Sequence, residues 1–247
     1  MEPEFIAIGP EEKFHFTCDP EVSCFNACCH NLYQVLTPYD ILRLKRALGI
    51  SSGEFLKKYA QQAIGPESGL PVVSLRPDPA RDMACPFVTP KGCSVYADRP
   101  ASCRIYPLAR AVTRCRETGK LLEHYALLKE AHCCGFDRGE LQSVTQWISD
   151  QEFATYNAMN DLLLEVIALK NKYCPGVLDL VRQRHFQMAL YDLDEFRQYL
   201  KTNHKLHLVS EGAGEKAAAE SKKEDDEVAM LRFGFRWIGK VIEGREK

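Results

Sequence analysis

Apolar residues recur at helical spacing in several separate stretches of the chain. In the first of these, TPYDILRLKRALG, Ile41, Leu44 and Leu48 fall on one face of a helix. Thr37 is placed to cap the N-terminus of this helix, and Gly49 is placed to end it. The pattern therefore predicts an amphipathic helix with a defined start and stop.

The remaining pattern predicts further helices and two β-hairpins. Ser51 and Glu54 form a capping-box pattern for a second, short helix. A strand is predicted at 70–76, and hairpins are predicted at 85–96 and 108–127. Helical spacing returns in three later stretches, namely 143 to the Pro175–Gly176 break, 177–190 and 193–202. Together these elements predict an α+β fold, as a small, loop-rich domain with two short β-hairpins packed by several α-helices.

The composition changes in the C-terminal part of the chain. We predict one cysteine-rich domain with a C-terminal helical part at 1–205 and a charged, flexible linker at 206–227. Residues 228–247 are apolar again and predict an amphipathic helix. This helix either packs back onto its own core or binds a protein partner. Three cations on one short helix would bind a membrane surface only weakly.

The charge balance excludes several classes of function. The chain has 32 Lys and Arg against 34 Asp and Glu, a net charge of −2, which argues against nucleic-acid binding. No apolar stretch approaches the roughly 20 residues of a transmembrane helix, so we expect no integral membrane association. The N-terminal residues lack the pattern of a signal peptide. We therefore expect a cytoplasmic protein.

Cysteines carry the candidate chemistry. Eleven of 247 residues are Cys, an odd number and too low a fraction for a disulfide scaffold. Thiols that stay reduced point to metal binding or catalysis. Zinc and iron–sulfur sites both need about four thiolates, and turn-rich loops can aim several sulfurs at one point. The candidate ligands are the first group, Cys18, Cys24, Cys28 and Cys29, the second group, Cys85, Cys93 and Cys103, and Cys174.

The adjacent pair Cys28–Cys29 leaves two interpretations open. Neighbouring side chains diverge by about 100° on a helix and by about 180° on a strand, so they do not readily bind one tetrahedral ion. Either the pair serves two nearby sites, or only one member is a ligand. The eight candidates could accordingly form two sites, or surround one cluster with thiols to spare.

Other residues near the cysteines are weaker candidates. We interpret Cys115, Cys133 and Cys134 as bystanders, and His30 and His132 as plain polar residues that could each supply a fourth ligand. Five arginines lie near the second group in sequence and could offset the negative charge of thiolates. They are Arg99, Arg104, Arg110, Arg114 and Arg116.

At these residues the chain resembles a known family. The first group, followed by CPF, GCSVY, RPASCRIYP and CPG, is similar to the YkgJ-like cysteine-cluster family, the zinc- or iron-chelating CxxCxxCC domain. Residues 93–107 are the most specific part, and the resemblance covers roughly 15–176. The first group reads C-x5-C-x3-C-C, which departs from the family label. The resemblance implies a cytosolic bacterial protein with a zinc or iron–sulfur site.

Three functional hypotheses follow. The first is a metal-binding protein that holds zinc or an iron–sulfur cluster, such as [4Fe–4S], through cysteine thiolates; soft all-thiolate sites with excess Cys favour the cluster. The second is a cluster-dependent enzyme for redox or methyl-transfer chemistry. Flagellin lysine N-methylases resemble the cysteine segments distantly, which hints at S-adenosylmethionine as a substrate. The third is a thiol redox sensor.

Overall fold

The chain forms two compact units. A computed structural model describes residues 3–31, 33–115, 117–211 and 225–246. The first unit comprises Met1–Gln34 and Pro77–Thr155, and the second comprises Val35–Arg76 and Tyr156–Lys247. Both units contain helices and antiparallel strands, so the α+β fold class is confirmed.

The first unit is built on short antiparallel strand pairs. Its strands are β1 Glu4–Ile8, β2 Lys13–His15, β6 Val88–Thr89, β7 Gly92–Cys93, β8 Leu108–Arg114, β9 Leu121–Lys129 and β10 Leu141–Ser143. Strands β6 and β7 form one hairpin and β8 and β9 the other, which confirms both predicted hairpins. Strand β1 adds to the free edge of β9, with Ala7 opposite Ala126. Strand β2 pairs with β10, and two short helices, Ala101–Ile105 (α3) and Val144–Asp150 (α4), complete the unit.

The second unit is mainly helical. Its sheet has the order β3-β5-β4, with strands Val35–Leu36, Pro71–Leu75 and Ala60–Ile64. Its helices are α1 Pro38–Leu48, α2 Ser52–Tyr59, nearly all of α5 Ala154–Tyr173, α6 Leu180–Tyr191, α7 Leu193–Thr202, α8 Leu208–Glu211 and α9 Asp226–Ile242. The predicted punctuation of α1 is confirmed, because Thr37 and Asp40 form a capping box and Gly49 ends the helix at φ 65°.

Helix α9 packs within its own unit. Its apolar side chains, including Phe233 and Trp237, are buried, and both rings contact Phe196 of α7. At Gly234 a Cβ atom would lie 2.3 Å from the carbonyl oxygen of Ala189, so glycine permits the close approach of α6. The C-terminal helix was predicted either to pack onto its own core or to bind a partner. In the structure it packs onto its own core.

The predicted linker falls largely outside the described residues, since 212–224 are not described. In the described part of the chain, no helix combines the length and the hydropathy needed to cross a membrane.

Candidate metal centre

Successive tight turns shape the loop that carries the first group. The carboxylate of Asp19 accepts a hydrogen bond from the backbone of Glu21 at 2.8 Å, and the side chain of Val22 anchors the loop in the core. The backbone N–H of Ala27 then bonds to the carbonyl of Cys24 at 2.9 Å, opening a 3₁₀ turn over Ala27–Cys29. Because each turn reverses the chain within a few residues, four sulfurs fit into a short segment.

The three cysteines of the second group lie in a loop, on a strand and on a helix, and the loop bonds directly to the first group. The backbone N–H of Cys85 donates to the carbonyl of Cys29 at 2.7 Å, which joins the two groups directly. Cys93 lies on β7, opposite Val88 on β6. Cys103 lies on α3, and its thiol donates to the side chain of Gln34 at 3.3 Å.

Five sulfurs of these groups share one electrostatic neighbourhood. A hydrogen bond between the side chains of Cys28 and Cys29 lowers the pKa of Cys28 to about 7 and raises the pKa of Cys29. Negative charge on Cys85 and Cys103 raises the pKa of Cys29 further. Burial is the main reason that the pKa of Cys85 is raised, and charge on Cys93 and Cys28 adds to it. Such mutual repulsion between thiolates disappears when a cation binds them.

Cys18 and Cys24 also lie near Cys133 and Cys134, which are far from them in the sequence. Burial raises the pKa of Cys18 to about 11, and charge on Cys28, Cys24 and Cys133 adds to the effect. The backbone N–H of Cys134 donates to Sγ of Cys24 at 3.1 Å. Cys133 and Cys134, interpreted above as bystanders, therefore lie beside the first group.

Close packing around Gly135 holds these segments together. The backbone N–H of Thr17 donates to the carbonyl of Gly135 at 3.1 Å. A Cβ atom at residue 135 would lie 2.4 Å from the carbonyl oxygen of Thr17 and 2.7 Å from the ring of Phe16. The ring of Phe16 also packs edge-to-face against Phe136, with centroids 5.3 Å apart. Only glycine fits here, and its position brings Cys133 and Cys134 to the first group.

We expect Gly135→Ala to destabilise the first unit by about 1–3 kcal/mol, the usual cost of overpacking, because its methyl group would overlap backbone. Gly9→Ala is the matched control, since the nearest atom to a Cβ there belongs to the flexible side chain of Glu12, at 3.1 Å. In a Trp237→Phe background, urea denaturation followed by the fluorescence of Trp147 measures the difference in the first unit. Equal free energies of unfolding for the two variants would contradict the packing argument.

Among the arginines near the second group, Arg99 faces the cysteines. Its side chain is buried and donates to the carbonyl of Tyr96 at 2.6 Å. Burial raises the pKa of Cys93, and the charge of Arg99 opposes that rise. Three other arginines, Arg104, Arg110 and Arg114, donate to Gln151, Glu123 and Gly119, respectively. Arg116 lies outside the described residues.

The remaining candidates lie elsewhere. Cys174 belongs to the second unit, where its thiol donates to the carbonyl of Ile242 at 3.5 Å. Cys115 lies in the turn between β8 and β9. The imidazoles of His30 and His132 lie 3.8 and 3.9 Å from the carboxylates of Asp82 and Glu130. Within the described residues, no three Cys, His, Asp or Glu side chains already stand as a metal-binding group.

The cysteine-bearing segment matches a family model. Residues 17–135 match the CxxCxxCC family, whose description reads "Putative zinc- or iron-chelating domain". The match spans both groups together with Cys133 and Cys134, and it supports metal binding by this part of the chain. No curated protein and no solved structure is significantly similar to the chain.

Proposed function

We propose that residues 17–135, which match the CxxCxxCC family model, bind an iron–sulfur cluster of the [4Fe–4S] type. The observation that carries the proposal is the neighbourhood of Cys28, Cys29, Cys85, Cys93 and Cys103, five thiols drawn from a 3₁₀ turn, a loop, a strand and a helix, with the N–H of Cys85 bonded to the carbonyl of Cys29. The ligands of the proposed cluster would come from the seven cysteines of the first and second groups.

The donor chemistry of this neighbourhood fits a cluster. A [4Fe–4S] cluster takes four cysteine thiolates, and soft sulfur ligands select zinc, copper(I) or iron–sulfur centres over hard cations. The buried guanidinium of Arg99 places a positive charge next to Cys93, which offsets the charge of bound thiolates. When bound, the cluster would supply electron transfer. The protein would supply the thiolates, the nearby cation and the partial burial that set its potential.

Cys174 is left out of the proposed centre. It lies in the second unit, and its hydrogen bond to Ile242 satisfies the thiol within that unit. Cys115 is left out as well, because its contacts are with Thr118 and Lys120 in its own turn. These two residues therefore serve as internal controls for any substitution of the proposed ligands.

Anaerobic purification of the full chain tests the proposal. We expect iron and acid-labile sulfide in equal amounts, with the broad sulfur-to-iron absorption of a [4Fe–4S] centre. The absorption should be lost in Cys85→Ser and kept in Cys115→Ser. Zinc without iron or sulfide would overturn the cluster in favour of a zinc site. A colourless protein with neither metal would overturn metal binding altogether.

A further inference from the structure

Strand β1 leaves one edge of its sheet open. The sheet has the order β1-β9-β8, so β1 is paired on one side only, and four of its five residues are exposed. Among them are two large apolar side chains, Phe5 at 62% and Ile6 at 36% exposure. An open edge presents backbone N–H and C=O groups to another strand, and proteins usually block such an edge with Lys, Pro or a bulge. The sequence EFIAI contains neither Lys nor Pro, and its register with β9 is continuous.

The register of the sheet shows which backbone groups face the open edge. The backbone N–H of Leu128 on β9 donates to the carbonyl of the residue that precedes β8, at 2.8 Å. Because the direction of these groups alternates along a strand, the N–H and C=O of Leu127 point to β1 instead, where Ile6 lies opposite. The neighbours of Ile6 in β1, Phe5 and Ala7, therefore direct their N–H and C=O groups to the open edge.

The open stretch is closed at both ends. Before it, Pro3 has no backbone N–H to offer. After it, the N–H of Gly9 donates to the carboxylate of Glu12, and the carbonyl of Gly9 accepts from the N–H of Glu12 at 3.1 Å. Between these ends the edge offers two donors and two acceptors, one of each on Phe5 and on Ala7.

We propose that β1 pairs antiparallel with β1 of a second copy of this chain, about a two-fold axis at Ile6. Phe5 of each copy then lies opposite Ala7 of the other, and four hydrogen bonds satisfy every open group of both residues. Neighbouring registers do less. A register centred on Phe5 places Ala7 opposite Pro3, which has no N–H, and one centred on Ala7 places Phe5 opposite Gly9, whose N–H is already used.

The side chains and charges of β1 also favour a second copy. Large Phe5 lies across from small Ala7, and the two Ile6 side chains meet at the axis in a non-hydrogen-bonded pair, where side chains come closest. Glu4 lies across from Ile8, so the carboxylates of the two copies are separated by four residues. That is roughly 14 Å along the strand, beyond the screening length of about 8 Å at physiological salt.

Analytical ultracentrifugation of the full chain over a range of concentrations tests the pairing. We expect the wild type to form dimers reversibly. Ala7→Pro removes an N–H that faces the open edge and spares the bonds to β9, so we expect it to raise the dissociation constant of the dimer at least about tenfold. Ala7→Ser is the matched control, because it keeps the N–H and a small side chain, and it should dimerise as the wild type does.

Hydrogen exchange identifies the surface that pairs. A peptide covering β1 should gain protection as the concentration rises in the wild type and in Ala7→Ser, and should stay unprotected on its open edge in Ala7→Pro. A dimer that forms without this gain, or one that Ala7→Pro leaves unchanged, would overturn the pairing. A wild type that stays monomeric at every concentration would overturn it too, and would leave the edge to a strand of another protein.

A second variant covers the case in which Ala7→Pro does not fold. Ile6→Lys places two ammonium groups opposite each other at the axis, so we expect it to abolish the dimer. Leu122→Lys adds the same charge to β9 outside the stretch paired with β1, at a side chain that is 48% exposed, and should leave the dimer intact. Equal dimerisation of these two variants would overturn the proposal.

Discussion

Removing the metal from the reduced protein is expected to destabilise the first unit by several kcal/mol and to leave the second unit much less affected. A ligand that binds only the folded state stabilises it by about 4 kcal/mol when its free concentration is 1,000 times its dissociation constant. Structural thiolate sites are often folding determinants outright. The proposed ligands all lie in the first unit, whose strands outside the β1-β9-β8 sheet have two or three residues each.

Hydrogen exchange followed by mass spectrometry checks this expectation within one molecule. Peptides that cover the 3₁₀ turn Ala27–Cys29 and the β6–β7 hairpin should exchange faster after chelation, whereas peptides from α6 and α7 should change little. Cys85→Ser should reproduce the effect of chelation, and Cys115→Ser should behave as the wild type. Equal protection of the first unit with and without metal would show that the metal contributes nothing to its folding.

Local signals in the sequence were sufficient for most helices and both hairpins. Thr37 and Gly49 mark the ends of α1 because capping depends on residues a few positions apart. The turn at Thr118–Gly119 predicts the β8–β9 hairpin for the same reason, and Gly119 does adopt a positive φ of 68°. The assignment of Cys85, Cys93 and Cys103 as ligands together with the first group stays a prediction, although the N–H of Cys85 does donate to the carbonyl of Cys29.

Contacts between segments that are far apart in the sequence have no local signal that would predict them. Strand β1 pairs with β9, so Ile6 lies opposite Leu127, and nothing in either segment specifies the other. The position of Cys133 depends in the same way on the absence of a side chain at Gly135, which the neighbouring sequence does not explain. Cys174 follows a helix in a segment resembling the family, yet it lies in the second unit. Spacing alone could not distinguish these cases, because tertiary packing decides them.

Phe196→Ala is expected to cost the second unit about 3–5 kcal/mol, the range for a fully buried aromatic side chain replaced by alanine. Phe196 is 0% exposed in α7, and its ring contacts those of Phe233 and Trp237 on α9, with centroid distances of 6.1 and 5.3 Å. The change therefore removes both the buried area and the contacts that fasten α9 to the unit. Leu180→Ala is the control, because Leu180 is 81% exposed at the start of α6 and should change stability by less than about 0.5 kcal/mol.

The two tryptophans allow this loss to be assigned to one unit. Trp237 lies in the second unit and Trp147 in the first, where it packs against Phe16. In a Trp147→Phe background, urea denaturation therefore reports on the second unit through Trp237 alone. We expect Phe196→Ala to lower the transition midpoint there while the metal content stays at the wild-type level, because every proposed ligand belongs to the first unit. A loss below about 1 kcal/mol would mean that α9 is held mainly by other contacts, such as the ion pair between Lys45 and Glu227 at 2.5 Å.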